Sequence, residues 1–369
     1  MATINVSSTT GLLAALRRAD DGDVIRLAAG TYDDVDIRNV RIDGNVTITS
    51  ADARNPAVVT DLTMRNSSGL TLSRLELAAG PRGDVYGFEV LNSSAITLDR
   101  LDVHGTMNDD PTDDKSLLLI RGSRDVTVAN SEFQQGWHGI SHLDSEDVRI
   151  VNNSFHDLRT DGVRGGGTSD LVISGNYFTD FHPAAGDHPD AIQLWTTNTD
   201  ATARDITIAD NLIVRGDGAA VQGIFIRDTF MSNPWADVTI TGNTVLGSLY
   251  NALTIGNVDG LTVSDNRVVA YEGQTAWLRV GAARDAEITN NEATDLIINE
   301  APGAVRRGTV EGGRLSANGL AAVTRLLAGK DGPPGGLKDR VDSLLDQQLT
   351  AYAVIDGTDA EKAETAAGY

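Results

Sequence analysis

Val238-Thr239-Ile240-Thr241-Gly242-Asn243-Thr244-Val245 is one copy of a phrase, apolar–Thr–apolar–x–x–Asn–x–apolar, that recurs along most of the chain. Looser copies run from Val148 to Phe155, Leu171 to Phe178, Ile206 to Ile213 and Leu261 to Val268. They place Asn153, Asn176, Asn211, Asn243 and Asn266 five residues after the first apolar position. Ala286 to Ala293 adds Asn291, and weaker copies begin at Val46, Leu70, Ile96 and Val126. Successive starts are 24, 26, 30, 22, 23, 35, 32, 23 and 25 residues apart. Apolar residues alternate within each copy and no helical period is present, so the copies are strands. A strand repeat of this length buries its apolar face only by stacking coil on coil. The sequence therefore predicts an all-β solenoid over residues 24–315, with the asparagines forming a structural ladder at the coil turn.

The 369 residues carry a formal charge of −22 and no cysteine. That charge speaks against a broad nucleic-acid or acidic-membrane surface, while leaving room for an anionic sugar held by a few local arginines. Disulfide and thiolate chemistry are excluded. No apolar run reaches the roughly 18 residues that span a bilayer. Met1 to Val6 has neither a basic n-region nor an apolar h-region. The expectation is export by a signal-peptide-independent route, or assembly into a virion or other particle.

The ends break the repeat. Residues 1–23 read as an N-terminal cap in which a short amphipathic helix over Thr9 to Asp20 covers the open first coil. Residues 316–369 read as a helical C-terminal segment, with helical stretches at 316–330 and 337–353 around a Gly/Pro linker. Its two readings are a cap on the last coil and a docking surface for a homo-oligomer.

A groove follows from spacing alone. A further strand in each coil passes through Ile140, Val163, Ile192, Ile224 and Leu253. The link after it lengthens in two adjacent coils, at Thr196–Arg204 and Asp228–Ala236, and these insertions make one wall. The link before it lengthens at His104–Lys115, Thr179–Pro189 and Val214–Gln222, which make the other. Alternation of period two aims Ser141, Arg164, Gln193, Phe225 and Thr254 outward onto the floor, with Trp195 and Arg227 in a second outward row. A polar column of His138, Asp161, Asp190, Gln222 and Asn251 runs beside them. Asp161 also fits an ordinary solenoid turn.

The segment from His182 to Asp190 brings two His, two Asp and two Pro onto the most disrupted coil. His188, Asp187, Asp190, Arg164 and His142 are the candidate catalytic groups. His138, Asp161, Gln193, Trp195, Phe225, Arg227 and Trp235 are candidates for binding substrate, the aromatics suiting sugar C–H faces. By the same register His142 points inward, so a hydrogen-bonded core histidine is the competing reading. No metal is predicted: the paired Asp and His could hold Ca²⁺ or a transition metal, but His is a poor calcium ligand and the spacing matches no strong metal motif.

Over roughly residues 20–315 the chain resembles the right-handed parallel β-helix superfamily of polysaccharide-active proteins. The segment from Gly22 to Tyr32 looks like the first coil of alginate- and chondroitin-type lyases and mannuronan C5-epimerases. The resemblance implies a base, a proton donor and a group neutralising a uronate carboxylate. Epimerases of this type carry an Asp-Pro-His element, and Asp187-His188-Pro189-Asp190 matches it in approximate order. The same fold serves pectinases, adhesins and phage tailspikes. Two functions therefore stand at this point. One is a lyase or epimerase on an acidic polysaccharide, with His188 or His142 as base and Arg164 or Arg227 on the carboxylate; hydrolysis by Asp187 and Asp190 is its variant. The other is a carbohydrate-binding spike or adhesin of a phage-like particle or cell surface.

Overall fold

The computed structural model describes residues 1–80, 85–106, 108, 110–199, 202–328, 336–349 and 353–357. Each copy of the repeated phrase makes two strands, not one. In one coil these are Glu146–Val151 and Ser154–His156, and Val163–Gly166 is the third strand before the next coil begins. Corresponding strands pair in parallel with their neighbours above and below. Val148, Leu171, Ile206, Val238, Leu261 and Ala286 follow one another in register up the first face. The third strands form a separate sheet of 11, from Val35–Arg38 to Asp295–Ile298. The molecule is a parallel β-helix with three faces.

The corner between the first two faces explains the invariant spacing of the phrase. The residue before each ladder asparagine turns left-handed, with φ of 56° at Asn152, 65° at Gly175, 54° at Asp210 and 65° at Gly242. Only Gly, Asn and Asp take this conformation cheaply, and only those residues stand there. The chain then folds inward, and each asparagine is sealed. Asn211 Nδ2 donates to Ile173 O and Asn243 Oδ1, both at 2.9 Å, while its Oδ1 accepts from Asn176 N and Nδ2 at 3.0 Å. The column runs from Asn153 to Asn291 and ends on Thr309. A shorter hydroxyl column at another corner links Ser67, Ser93, Ser123 and Ser145 through backbone N–H donors.

Apolar side chains stack inside the coils. Phe133, Phe155 and Phe178 lie with ring centroids 5.2 and 4.7 Å apart.

At the N-terminus the stack starts earlier than the sequence suggests: Thr3–Val6 already pairs in parallel with Val24–Leu27. The capping helix is Thr9–Leu16, four residues shorter than expected at its C-terminal end, with Ser8 Oγ accepting from Gly11 N at 3.1 Å. It buries Leu12, Ala15 and Leu16. At the C-terminus, helices Ala317–Leu327 and Leu337–Gln348 lie along the flank of the second face. Val323, Val341 and Leu345 pack there on Tyr177, Leu246 and Tyr271. Arg267 Nη2 anchors the second helix at Asp346, 2.6 Å away. The helical apolar stripe is thus used by the chain itself. The strand Ala353–Gly357 runs antiparallel to Val305–Glu311, and the linker 331–335 lies outside the described residues.

Candidate active site

The third sheet carries the floor. Ser141, Arg164, Gln193, Phe225 and Thr254 are neighbours in register, and Trp195 pairs with Arg227 in the second row. Each wall is fastened by one charged residue, half-buried Arg159 on one side and buried Asp228 on the other. Arg159 binds Asp187 through two nitrogens, at 2.6 and 3.0 Å, and also reaches Asp114 and the carbonyl of Pro111. It therefore locks the 179–189 loop to the 104–115 loop. On the opposite side Asp228 accepts from Thr196 Oγ1 and Asn257 Nδ2 at 2.7 Å and from Asn233 N at 2.8 Å.

Between the walls the polar side chains join into one continuous row. His138 Nδ1 donates to Ser116 Oγ at 2.7 Å, and its Nε2 accepts from Arg164 Nη1. Arg164 stands 3.3 Å from Asp161 and lies over the Trp195 ring, 4.9 Å from its centroid. Asp161 Oδ1 accepts from Asp190 N at 3.0 Å. Asp190 Oδ2 accepts from His188 Nδ1 at 3.1 Å and from Gln193 Nε2. Gln222 Nε2 donates to His188 Nε2, and Gln222 Oε1 accepts from Asn251 Nδ2.

Burial sets the charge states along this row. Burial, with the neighbouring charge of Arg164, pushes His138 down to about 3 and keeps it neutral. Burial pushes Asp161 up to about 7 against the pull of Arg164. Asp190 is likewise raised by burial. His188 is raised by its hydrogen bond to Asp190, and 60% of its side chain is open. The result is an exposed imidazole whose ring orientation and tautomer are set by a carboxylate sealed beneath it, an arrangement suited to a general base.

Some expected residues do not reach the groove. His142 is 1% exposed inside the coil, with Nδ1 on Thr168 Oγ1 at 3.0 Å. Burial depresses it to about 3, so its inward register removes it as a base for a groove substrate. Trp235 is 1% exposed and sits in the core rather than on the wall, because it opens a strand paired at Val258 and turns inward. Asp187 is engaged by Arg159 and by Ala184 N, and the guanidinium lowers its pKa. It ties the wall, and with it the Asp187–Asp190 hydrolytic pair loses a member. His182 bonds Asp157 at 2.9 Å on the outer side of the same loop.

Trp277 and Tyr250 also line the groove, two aromatics beyond the candidates that the repeat spacing points to. Trp277 Nε1 donates to Asn251 Oδ1 at 3.1 Å, extending the polar row by one more coil. The spacing of Trp277 was legible, since it lies two residues before an outward arginine of the floor row, Arg279. Among the described residues, no group of three or more His, Cys, Asp or Glu side chains is placed to hold a metal ion, and no helix is long and apolar enough to cross a membrane.

Comparison with solved structures gives neighbours of two kinds. PfbA, a surface adhesin of Streptococcus pneumoniae, is similar at a TM-score of 0.52 and 13% identity, over 82% of this chain and 86% of that one. A PL6 alginate lyase in complex with a trisaccharide gives 0.50 at 14% identity, over 84% of each chain. An alginate lyase from Paenibacillus sp. str. FPU-7 gives 0.41 at 15% identity, over 76% of this chain and 97% of that one. At such identities the likeness is one of fold. No curated protein matches the chain. The family model described as Right handed beta helix region matches residues 86–293, more than half of the sequence. With that match over stacked parallel coils, the chain belongs to the right-handed β-helix family.

Proposed function

We propose that this protein acts on an acidic, uronate-containing polysaccharide by abstracting the C5 proton, as a lyase or a C5-epimerase. The observation that carries the reading is His188: open to the groove, oriented by sealed Asp190, and joined through Asp190 and Asp161 to Arg164. His188 Nε2 takes the proton once the polymer displaces the Gln222 amide. Arg164, stacked on Trp195, neutralises the uronate carboxylate. Its partner Asp161 is poised by burial to ionise only at about 7, which leaves much of the guanidinium charge for substrate. In elimination the C5–H electron pair forms the C4–C5 double bond as the C4–O bond breaks, and the departing O4 takes a proton from the His188 imidazolium, which restores the neutral base. In epimerisation a proton returns to C5 from water on the other face, and the His188 imidazolium gives its proton back to solvent. Such a polymer lies outside cells, and we place the protein there or on a particle surface.

A second reading, a carbohydrate-binding adhesin or spike, is favoured by one observation: Gln222 already occupies His188 Nε2 and Arg164 already satisfies His138. Incubation with alginate, pectate, hyaluronan and chondroitin separates the two. Unsaturated uronate absorbance or altered C5 configuration, lost in His188→Ala, supports the enzyme. Tight binding with unchanged polymer supports the adhesin.

A further inference from the structure

We infer that the coils C-terminal to His188 carry a second sugar-binding platform, formed by Tyr250, Trp277, Arg227 and Arg279, for an anionic pyranose. This rests on the reading of the groove as a site for an acidic polysaccharide and extends it along the floor, from Arg227 one strand beyond the Asp190–Trp195 strand to Arg279 three strands beyond it. The platform lines a depression of about 480 Å³ on the same floor. Tyr250, 50% exposed, tilts against Trp277 with centroids 5.0 Å apart, and the indole is fixed by its bond to Asn251. A fixed aromatic shelf of this kind takes the C–H face of a sugar ring.

Charge selects the sugar. Arg227 and Arg279 are exposed on this floor and have no ion-pair partner among the described residues. Of the carboxylates lining the depression, Asp228 is sealed in its own hydrogen bonds and Glu300 stands exposed. Planar guanidinium forks of this kind recognise carboxylate or sulfate groups. Met231, 56% exposed on the wall loop, supplies apolar surface above the shelf.

Register sets the reach. Strands Asp190–Trp195, Gln222–Arg227, Leu253–Gly256 and Trp277–Val280 are successive neighbours. Three steps of strand spacing put the shelf about 14 Å from the His188 coil. A polymer lying along the solenoid axis meets it only after extending about three pyranose units at that spacing.

The test is calorimetric binding of disaccharide and octasaccharide uronates to His188→Ala, a background in which no turnover consumes the ligand. The ratio of octasaccharide to disaccharide affinity is expected to fall about tenfold in both Trp277→Ala and Arg279→Gln. Arg279 is exposed, so its variant reads the platform even where loss of Trp277 disturbs folding. Sulfated and neutral octasaccharides complete the series: stronger binding of either anionic chain than of the neutral one supports the platform. An unchanged ratio in Arg279→Gln, or equal binding of the neutral chain, overturns it. Length- and Arg279-dependent binding to a wild-type protein that leaves every polymer intact upholds the platform and overturns the catalytic reading alone.

Discussion

His188 Nδ1 lies 3.1 Å from Asp190 Oδ2, and the two side chains occupy opposite extremes, 60% exposed and fully sealed. The carboxylate therefore works on the imidazole and not on the solvent. Replacing Asp190 with Asn keeps the shape but lets the amide stabilise the wrong tautomer. Turnover is expected to fall about a hundredfold to ten-thousandfold in Asp190→Asn, with polymer affinity retained. Initial rates and calorimetric binding on the same preparation check both halves.

The pH dependence of turnover carries a definite sign. His188 works as a base only when deprotonated, and Asp190 holds its pKa above the ordinary 6.5. The rate is expected to rise with pH through an apparent pKa above that value, in a pH–rate profile of kcat/KM. A rate that is flat across this range argues against His188 as the base.

Stability has its own pH signature at a different histidine. Burial pulls His156 down, but hydrogen bonds to Glu132 and Asp157, each 2.7 Å, outweigh it and hold the imidazole at about 9. Because the folded state binds this proton more tightly than the unfolded chain, the stabilisation is present below pH 6.5. It is lost as pH rises through about 9. Denaturant titrations of His156→Gln against wild type are expected to converge as pH rises across that window.

The wall clamp is a structural joint. Arg159→Ala leaves half-buried Asp187 and Asp114 without their cation, which costs about 1–3 kcal/mol. Hydrogen exchange is expected to accelerate in the 104–115 and 179–189 loops while the Asn-ladder coils keep their protection.

Interrupting the ladder itself acts on the whole solenoid. Asn211→Ala strands Ile173 O and the neighbouring amides of Asn176 and Asn243. The loss is expected at about 2–4 kcal/mol, read from urea unfolding, because several buried polar groups lose partners together.

Much of this architecture is written in the strands. A side-chain period of two fixed Ser141, Arg164, Gln193, Phe225 and Thr254 as one outward row, and the Asn spacing fixed the coil. The same register turns His142 inward, which burial turns from an alternative into a fact. Loops carry no such period. The inward turn of Trp235 and the capture of Asp187 by Arg159, 28 residues away in sequence, depend on insertions whose path no local pattern dictates. The three-strand coil was also hidden, because the left-handed residue before each asparagine shifts the inward alternation by one within a phrase that otherwise reads as a single strand. Apolar residues at helical spacing announced the C-terminal helices. They could not say that the helices would lie along the flank, where Tyr177 and Tyr271 point outward to receive them.

The most direct test of the account is C5 proton exchange, followed by NMR of uronate polymers incubated with the protein in deuterated buffer. Both elimination and epimerisation begin by removing that proton, so this measurement is indifferent to which follows. Loss of the C5–H signal, as exchange or as unsaturated product, is expected for at least one acidic polymer, with no loss in His188→Ala. Full retention of C5–H across polymers that the groove demonstrably binds would contradict it and leave a binding protein.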